Sequence, residues 1–242
     1  MANSFLLAFK QPILLPKFTQ TGYFKTKIPD EVYSKLKTFY DTKRASNGGL
    51  QNETMNSFVA INGDQVKTAM VELTDDVKSY VHEALLKQMQ DWCQCELEET
   101  AFYGIREYYR SNLLRMHVDR IETHVISSIL QIDQDLNGQE DWLLEVIDFN
   151  GDRQHVKLLP GEMLLYESAT LIHGRPTTFK GRFFANCFLH YKPRSDWTWQ
   201  RKQGGPPMGN VITDGKDVVE PEDVINTSRL FQASLSSLRD EL

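Results

Sequence analysis

Between residues 99 and 193 the sequence consists of short segments rich in β-branched and aromatic residues. The strand candidates are residues 102–109, 124–132, 143–149, 154–159, 163–167 and 182–191. Turn signals separate them at Asn137-Gly138, Asn150-Gly151-Asp152, Pro160-Gly161-Glu162 and Lys180-Gly181. About six to eight short strands at this spacing, after a helical lead-in, predict a β-sandwich or jelly roll.

Two helices are predicted ahead of the strands, after an extended or irregular segment over residues 1–28. The first begins near Pro29-Asp30-Glu31, because proline suits a first helical turn and acids suit the positive end of the helix dipole. The second covers residues 74–92, where apolar side chains recur at helical spacing. We predict that both helices form a support layer for the sheet.

The chain therefore divides into three predicted parts. Residues 1–98 form an extended segment and the helical support layer, residues 99–195 form the β core, and residues 196–242 form a loop and a C-terminal helix that pack on the core. A flexible loop or lid is expected at residues 203–210, and the last helix near Pro221. The fold class is mainly β with supporting helices (α+β): a jelly-roll core, N-terminal helices and a short C-terminal helix.

The net charge of −6 on 242 residues gives no electrostatic basis for binding nucleic acid or an anionic membrane surface. No apolar run reaches membrane-spanning length, and the five-residue apolar run at residues 5–9 is too short for the core of a signal peptide. We expect neither nucleic acid nor a membrane as a partner.

The three cysteines favour a reducing compartment. Their number is odd, and Cys93-Gln94-Cys95 is too tight a spacing for an ordinary disulfide. The predicted location is therefore the cytoplasm. The last four residues, 239–242, resemble an ER-retrieval tail, so the ER lumen is the alternative if that tail acts as a signal.

The segment Arg115–Arg120 places a histidine and an aspartate two residues apart in what reads as a strand. Side chains alternate faces along a strand, so His117 and Asp119 are expected to point the same way. One imidazole and one carboxylate make up two thirds of the 2-His-1-carboxylate triad that holds Fe(II). Alone, such a pair is more often two solvated polar residues near a strand end than a metal site.

A third ligand must come from His124, His155, His173 or His190. His173 stands out because it follows the strand 163–167 and precedes Gly174-Arg175-Pro176. Arg182 opens the next predicted strand nine residues later. We expect it to face the same cavity, where an arginine could bind a carboxylate as a bidentate fork.

Taken together, these residues resemble the Fe(II)- and 2-oxoglutarate-dependent dioxygenases, and among them the prolyl 4-hydroxylase-like group. The resemblance covers roughly residues 100–193. It rests on Tyr108, His117-Val118-Asp119, Asn137-Gly138, the run 160–166, His173-Gly174-Arg175-Pro176 and Gly181-Arg182. The fold that the resemblance implies is a double-stranded β-helix.

The resemblance also implies a set of site residues. His117, Asp119 and His173 would be the iron ligands. Arg182 and Tyr108 would meet the distal carboxylate of 2-oxoglutarate, and Ser127 falls near a family threonine with the same task. The implied reaction hydroxylates an unactivated C–H with release of succinate and CO2, consuming dioxygen and using ascorbate as reductant.

The implied substrate is a prolyl residue in a peptide or protein, with a free amino acid or other small molecule as the alternative. Two departures bear on this specificity: Leu114 stands where relatives often carry a tyrosine, and Phe188 where they carry a tryptophan. Trp142 could supply an aromatic wall instead. An alternative from another class is a non-oxidative, metal-binding cupin-like module, which would have no need of Arg182.

Overall fold

The structure is a computed structural model and describes residues 10–53, 59–61, 68–194, 197–203 and 210–214. Its larger sheet has seven antiparallel strands in the order β1-β10-β7-β12-β5-β4-β2. Their bounds are β1 Tyr23–Lys27, β2 Gln51–Glu53, β4 Thr68–Glu72, β5 Leu97–Tyr109, β7 Ile126–Asp135, β10 Glu162–Tyr166 and β12 Phe183–Pro193.

A smaller sheet of five antiparallel strands, in the order β3-β6-β11-β8-β9, faces the larger one. The bounds are β3 Val59–Ile61, β6 Asn112–His117, β8 Leu144–Ile147, β9 Arg153–Val156 and β11 Ile172–Arg175. One apolar cluster joins the two sheets, since Ile129 and Leu164 from the larger sheet pack with Leu144 and Val146 from the smaller one. The predicted jelly-roll fold, mainly β with supporting helices, is confirmed.

The two predicted helices are present on the other face of the larger sheet. Helix α1 spans Asp30–Ala45 and α2 spans Asp75–Cys93. Their buried stripes share one core with residues of β4, β5 and β12; its members include Val32, Leu36, Tyr40, Val77, Val81, Leu85, Met89, Val71, Ile105, Cys187 and Leu189. The helices therefore close the outer side of the sheet and leave its inner side to the jelly-roll interior.

Strand β12 shows how one segment serves both layers. Ala185, Cys187 and Leu189 pack against the helices, whereas Phe184 and Phe188 belong to the interior clusters. This is the alternation that a strand buried on both faces must have.

The segment before residue 98 contributes more than helices, because β1, β4 and β2 extend the larger sheet at its two edges. Strand β1 falls in the segment predicted to be extended or irregular. Its five residues, YFKTK, are half-buried or exposed and carry no apolar alternation that would predict a strand. After the core, β13 (Gln200–Gln203) pairs with β14 (Asn210–Thr213). The predicted lid between them and the predicted terminal helix lie outside the described residues.

The expectation for the first two cysteines was wrong. Cys93 and Cys95 are joined by a disulfide, with their Cα atoms 5.4 Å apart. The close spacing is accommodated because Gln94, at the end of α2, adopts the left-handed region with φ 54°. The argument for a reducing compartment from this spacing therefore falls. Across the described residues, neither helix is long and apolar enough to cross a membrane.

A buried carboxylate ties α1 to the sheet. Glu107 on β5 is fully buried, accepts a hydrogen bond from Tyr40 Oη at 2.5 Å and pairs with Arg44 at 2.7 Å. Tyr40→Phe should lower the free energy of unfolding by about 1–3 kcal/mol, because it leaves a buried carboxylate short of a donor. Urea denaturation checks this, with the exposed Thr42→Ala on the same helix as control. Equal stability of the two variants would contradict the assigned role.

Candidate metal centre

Two histidines face each other across neighbouring strands of the smaller sheet. In the antiparallel pairing of β11 with β6, His173 is directly opposite His117. The Nε2 atoms of His117 and His173 lie 3.5 Å and 4.0 Å from Asp119 Oδ1. One ligand atom from each of the three residues lies within 4.8 Å of the others, and within the described part of the chain no other set of three such residues does so.

The histidine tautomers are fixed by the backbone. His117 Nδ1 lies 2.6 Å from the carbonyl oxygen of Arg115, and His173 Nδ1 lies 2.8 Å from that of Leu171. A carbonyl only accepts, so each Nδ1 carries the proton and each Nε2 presents its lone pair toward Asp119. Metal-binding histidines characteristically donate their second N–H in this manner.

Asp119 lies in an irregular segment just after β6, whereas the sequence predicted that it shares a strand face with His117. β6 ends at His117, and the Asp119 N–H donates to the Ser168 carbonyl at 2.8 Å. Gln11, from a helical turn near the start of the chain, donates to the Asp119 carbonyl at 2.9 Å. The carboxylate accepts a hydrogen bond from Tyr166 Oη at 3.4 Å. The backbone and the side chain of Asp119 are therefore both positioned by hydrogen bonds to residues outside β6.

The protonation states suit a metal ligand set. Burial by itself would raise the pKa of Asp119, but the adjacent imidazoles of His117 and His173 hold it below its usual value. Burial, reinforced by His117, lowers the pKa of His173 to about 4. The carboxylate is thus anionic and this imidazole neutral at neutral pH, which are the forms that bind metal.

A glycine brings the two ligand strands together. A Cβ on Gly174 would lie 2.8 Å from the Arg115 carbonyl oxygen and 2.9 Å from that of Leu114, closer than real Cβ atoms come. The register between β11 and β6 shifts at this point, between His173 and Arg175. Only glycine allows this approach of two backbones.

The other candidate histidines lie outside the triad. His155 is half-exposed beside Glu145. His124 and His190 are buried, with ring centroids 3.8 Å apart, and burial lowers the pKa of His190 to about 3, with a further contribution from His124. They are neutral members of a separate hydrogen-bonded network.

Ser127 belongs to that network. Its Oγ lies 2.6 Å from Ser168 Oγ and 2.7 Å from His190 Nδ1. Tyr108 is elsewhere: it pairs with Phe184 at the start of β12, whereas Ser127 pairs with His190 near its end. The structure therefore does not bring Ser127 and Tyr108 together around one carboxylate.

Arg182 does not face the interior, contrary to the expectation from its spacing. Its side chain is 67% exposed and pairs with Asp135 at 2.9 Å. Arg182 precedes the first residue of β12, where its N–H donates to the Asp135 carbonyl, and Phe184 takes the first inward position of that strand. The guanidinium is thus directed along the surface.

The buried arginine is instead Arg175, which its spacing along the sequence does not single out. It is 1% exposed, lies two residues after His173 on β11, and stacks on Trp142 and Phe184 with its Cζ 5.0 Å and 4.6 Å from the ring centroids. Strand alternation could have revealed it, because residues i and i+2 share a face.

The donor set matches a definite class of metal site. Two neutral imidazoles and one carboxylate on one side of an ion are the facial triad of non-haem Fe(II) oxygenases, which leaves open positions on the other side. The separations of 3.5 Å and 4.0 Å require only a small inward movement of the side chains for metal bonds of about 2.1 Å. The residues present therefore fit a single ion.

Comparison with known proteins identifies the fold. No family model matches the chain, and no curated protein sequence matches it significantly. Among solved structures, a prolyl-4-hydroxylase from Pseudomonas putida has a TM-score of 0.52 at 14% identity, over 78% of this chain and 100% of its own. HygX from Streptomyces hygroscopicus, with nickel, 2-oxoglutarate and hygromycin B bound, has a TM-score of 0.54 at 12% identity. The match covers 83% of this chain and 95% of HygX.

A third similar structure is a prolyl hydroxylase from Trichoplax adhaerens in complex with a peptide fragment of the hypoxia inducible factor oxygen degradation domain. Its TM-score is 0.52 at 12% identity, over 71% of this chain and 84% of its own. The chain thus has a jelly-roll fold with a candidate mononuclear metal site. More particularly, it has the prolyl-4-hydroxylase-like fold of the 2-oxoglutarate- and Fe(II)-dependent oxygenases.

Gly174→Ala tests whether the approach of β11 to β6 sets the metal site. The new methyl group must push the strands apart and move His173 away from His117, so we expect Co(II) affinity to fall about 10–100-fold, as when the support of a ligand is disturbed. Co(II) absorption titration of the purified protein measures this, with the exposed Lys180→Ala as control. Unchanged Co(II) affinity in a folded Gly174→Ala variant would contradict it.

Proposed function

We propose that this protein is an Fe(II)- and 2-oxoglutarate-dependent dioxygenase that hydroxylates an unactivated C–H bond and releases succinate and CO2. The observation that carries the proposal is the buried cluster of His117, Asp119 and His173, in which two Nε2 atoms and one carboxylate oxygen converge. The fold supports it, since HygX shares the architecture and was solved with nickel and 2-oxoglutarate.

The metal and 2-oxoglutarate supply the oxidising chemistry when bound, as cofactors generally do. The chain's own residues hold and shield them. His117 and His173 present lone pairs fixed by backbone carbonyls, and Tyr166 donates to Asp119 and so directs its second oxygen. Ile129 and Leu164 line the adjoining apolar interior, which excludes water from the reacting groups.

For the substrate we propose a prolyl residue in a peptide or protein. Support comes from two neighbours in fold that are prolyl hydroxylases, one of them with a peptide. The second candidate is a free amino acid or other small molecule, which is favoured by the neighbour that holds hygromycin B and by Leu114 and Phe188, which depart from the prolyl hydroxylase pattern. A cupin-like module without oxidative activity remains the alternative class.

The proposal extends to two finer points. We propose ascorbate as the reductant that keeps the iron ferrous, which an assay with and without ascorbate tests.

We propose the cytoplasm as the compartment, with the ER lumen as alternative. The Cys93–Cys95 disulfide is the observation that favours the alternative, and imaging of the full chain carrying an internal tag decides between the two.

Metal-ligand variants test the reaction class. Purified protein with Fe(II) and ascorbate should convert 2-oxoglutarate to succinate, and His173→Ala or Asp119→Ala should reduce that turnover by more than about 100-fold, since losing a ligand costs more than losing its support. His155→Ala is the matched control, because this histidine is half-exposed and outside the cluster. Wild-type succinate yields in either ligand variant would refute the assignment.

The substrate is tested by mass spectrometry. A panel of proline-containing peptides, free amino acids and amino sugars is incubated with the complete system, and each product is inspected for the gain of one oxygen atom. We expect the gain on a prolyl ring of a peptide, and its dependence on 2-oxoglutarate. A gain confined to a free amino acid or an amino sugar would replace the peptide proposal, and succinate formation without any oxygenated product would leave the substrate class outside the panel.

A further inference from the structure

We propose that Arg175, with the hydroxyl of Tyr108, binds the distal carboxylate of the 2-oxo dicarboxylate co-substrate, and that Arg182 does not. This inference rests on the proposed function, because the co-substrate is the one named there. The spacing along the sequence favours Arg182, which stands nine residues after His173, whereas Arg175 stands only two residues after it.

Arg175 is a buried cation without a counterion. It is 1% exposed, and among the described residues no carboxylate lies within ion-pair distance of it. One guanidinium nitrogen donates to the Trp142 carbonyl, while Nη2 is buried and has no hydrogen-bond partner in the described structure. Burying a charge costs much more than a single neutral hydrogen bond returns, so such a group calls for an anion.

Arg106 shows what a satisfied arginine looks like in the same interior. It is two residues before Tyr108 on β5, and Glu53 accepts from its Nε at 2.6 Å and from its Nη2 at 2.9 Å. This bidentate ion pair neutralises Arg106 within the protein. Arg175 has the corresponding donor fork but no acidic side chain to fill it, so its partner must come from outside the chain.

A second unpaired donor lies in the same cluster. Tyr108 Oη is buried and has no partner of good hydrogen-bond geometry in the described part of the chain, although the Arg106 guanidinium lies close to it. The Tyr108 ring contacts Trp142 at a centroid distance of 5.2 Å, and Trp142 is also the ring on which Arg175 stacks. Two orphan donors, one cationic and one neutral, are what a carboxylate with two oxygens can satisfy.

The position of Arg175 relative to the metal ligands suits a dicarboxylate. His173 and Arg175 are alternate residues of β11, so they share a face and their Cα atoms are about 6–7 Å apart. That separation is comparable to the length of a five-carbon chain with an acid at each end. Tyr108 packs with Trp142 and Phe184 in the interior cluster, so its ring lies beside the two rings on which Arg175 stacks.

Arg182 is neither buried nor without a charged partner. It is 67% exposed, and Asp135 already accepts from it at 2.9 Å. An exposed pair of this kind contributes about 0–1 kcal/mol and leaves no buried charge to be neutralised.

A ligand pair that differs only at the distal group isolates this contact. We compare 2-oxoglutarate with 2-oxopentanoate, which has a methyl group in place of the distal carboxylate, by anaerobic calorimetric titration of the metal-loaded protein. The wild-type protein should prefer 2-oxoglutarate. In Arg175→Gln this preference should fall by at least about 30-fold, the effect of truncating one side of a buried charged pair, whereas Arg182→Gln should retain it. Retained Co(II) binding in each variant shows that the triad is intact.

Tyr108→Phe provides a second test that does not depend on the folding of Arg175→Gln, a variant that removes a buried side chain. This nearly isosteric variant should reduce the preference for 2-oxoglutarate by about 2–10-fold, the effect of one neutral hydrogen bond. Preference lost in Arg182→Gln but kept in Tyr108→Phe overturns the inference, as does a preference kept in a folded Arg175→Gln. Failure of the proposed function looks different: the wild-type protein would then bind no metal, or no 2-oxo acid at all.

Discussion

The antiparallel pairing of β11 with β6 is the constraint on which the candidate site depends. It places His173 opposite His117, and Gly174 allows the two backbones to approach more closely than any side chain would permit. Because β6 ends at His117, the chain can turn and direct Asp119 back toward both imidazoles. The ligand geometry is thus produced by strand register and by a strand end, which are properties of the backbone.

The second organising feature is the balance of buried charge. The fold neutralises Glu107 with Arg44 and Arg106 with Glu53, and Asp119 lies among histidines. Arg175 has no oppositely charged side chain in the described structure, and its Nη2 has no hydrogen-bond partner there. Among the described residues Glu167 is also buried without a counterion, but Thr19 Oγ1 and the backbone N–H groups of Phe18 and Thr19 donate to it. The unmet donor of Arg175 is therefore informative, because an uncompensated buried charge reduces stability.

Much of this architecture could be read from local sequence. The apolar stripes of α1 and α2 follow from how far side chains rotate per residue in a helix. Strands β7, β10 and β12 follow from their β-branched and aromatic residues between turn signals. Strand β1 escaped detection because an edge strand with exposed side chains has no apolar pattern. The Cys93–Cys95 bridge escaped because it depends on a left-handed residue at the end of α2, and the unusual φ of Gln94 has no signature in residue type.

By itself, the sequence determined the class of fold, the identity of the three candidate ligands, and the spacing that resembles the 2-oxoglutarate oxygenases. Tertiary structure decided which arginine is buried. Arg175 and Arg182 both lie within nine residues after His173, and each could have faced the cavity. The choice depends on where β12 begins, since Arg182 falls just before its first residue while Arg175 is inside β11. Strand boundaries are set by pairing with distant segments, and so they are not encoded in the local spacing that the sequence displays.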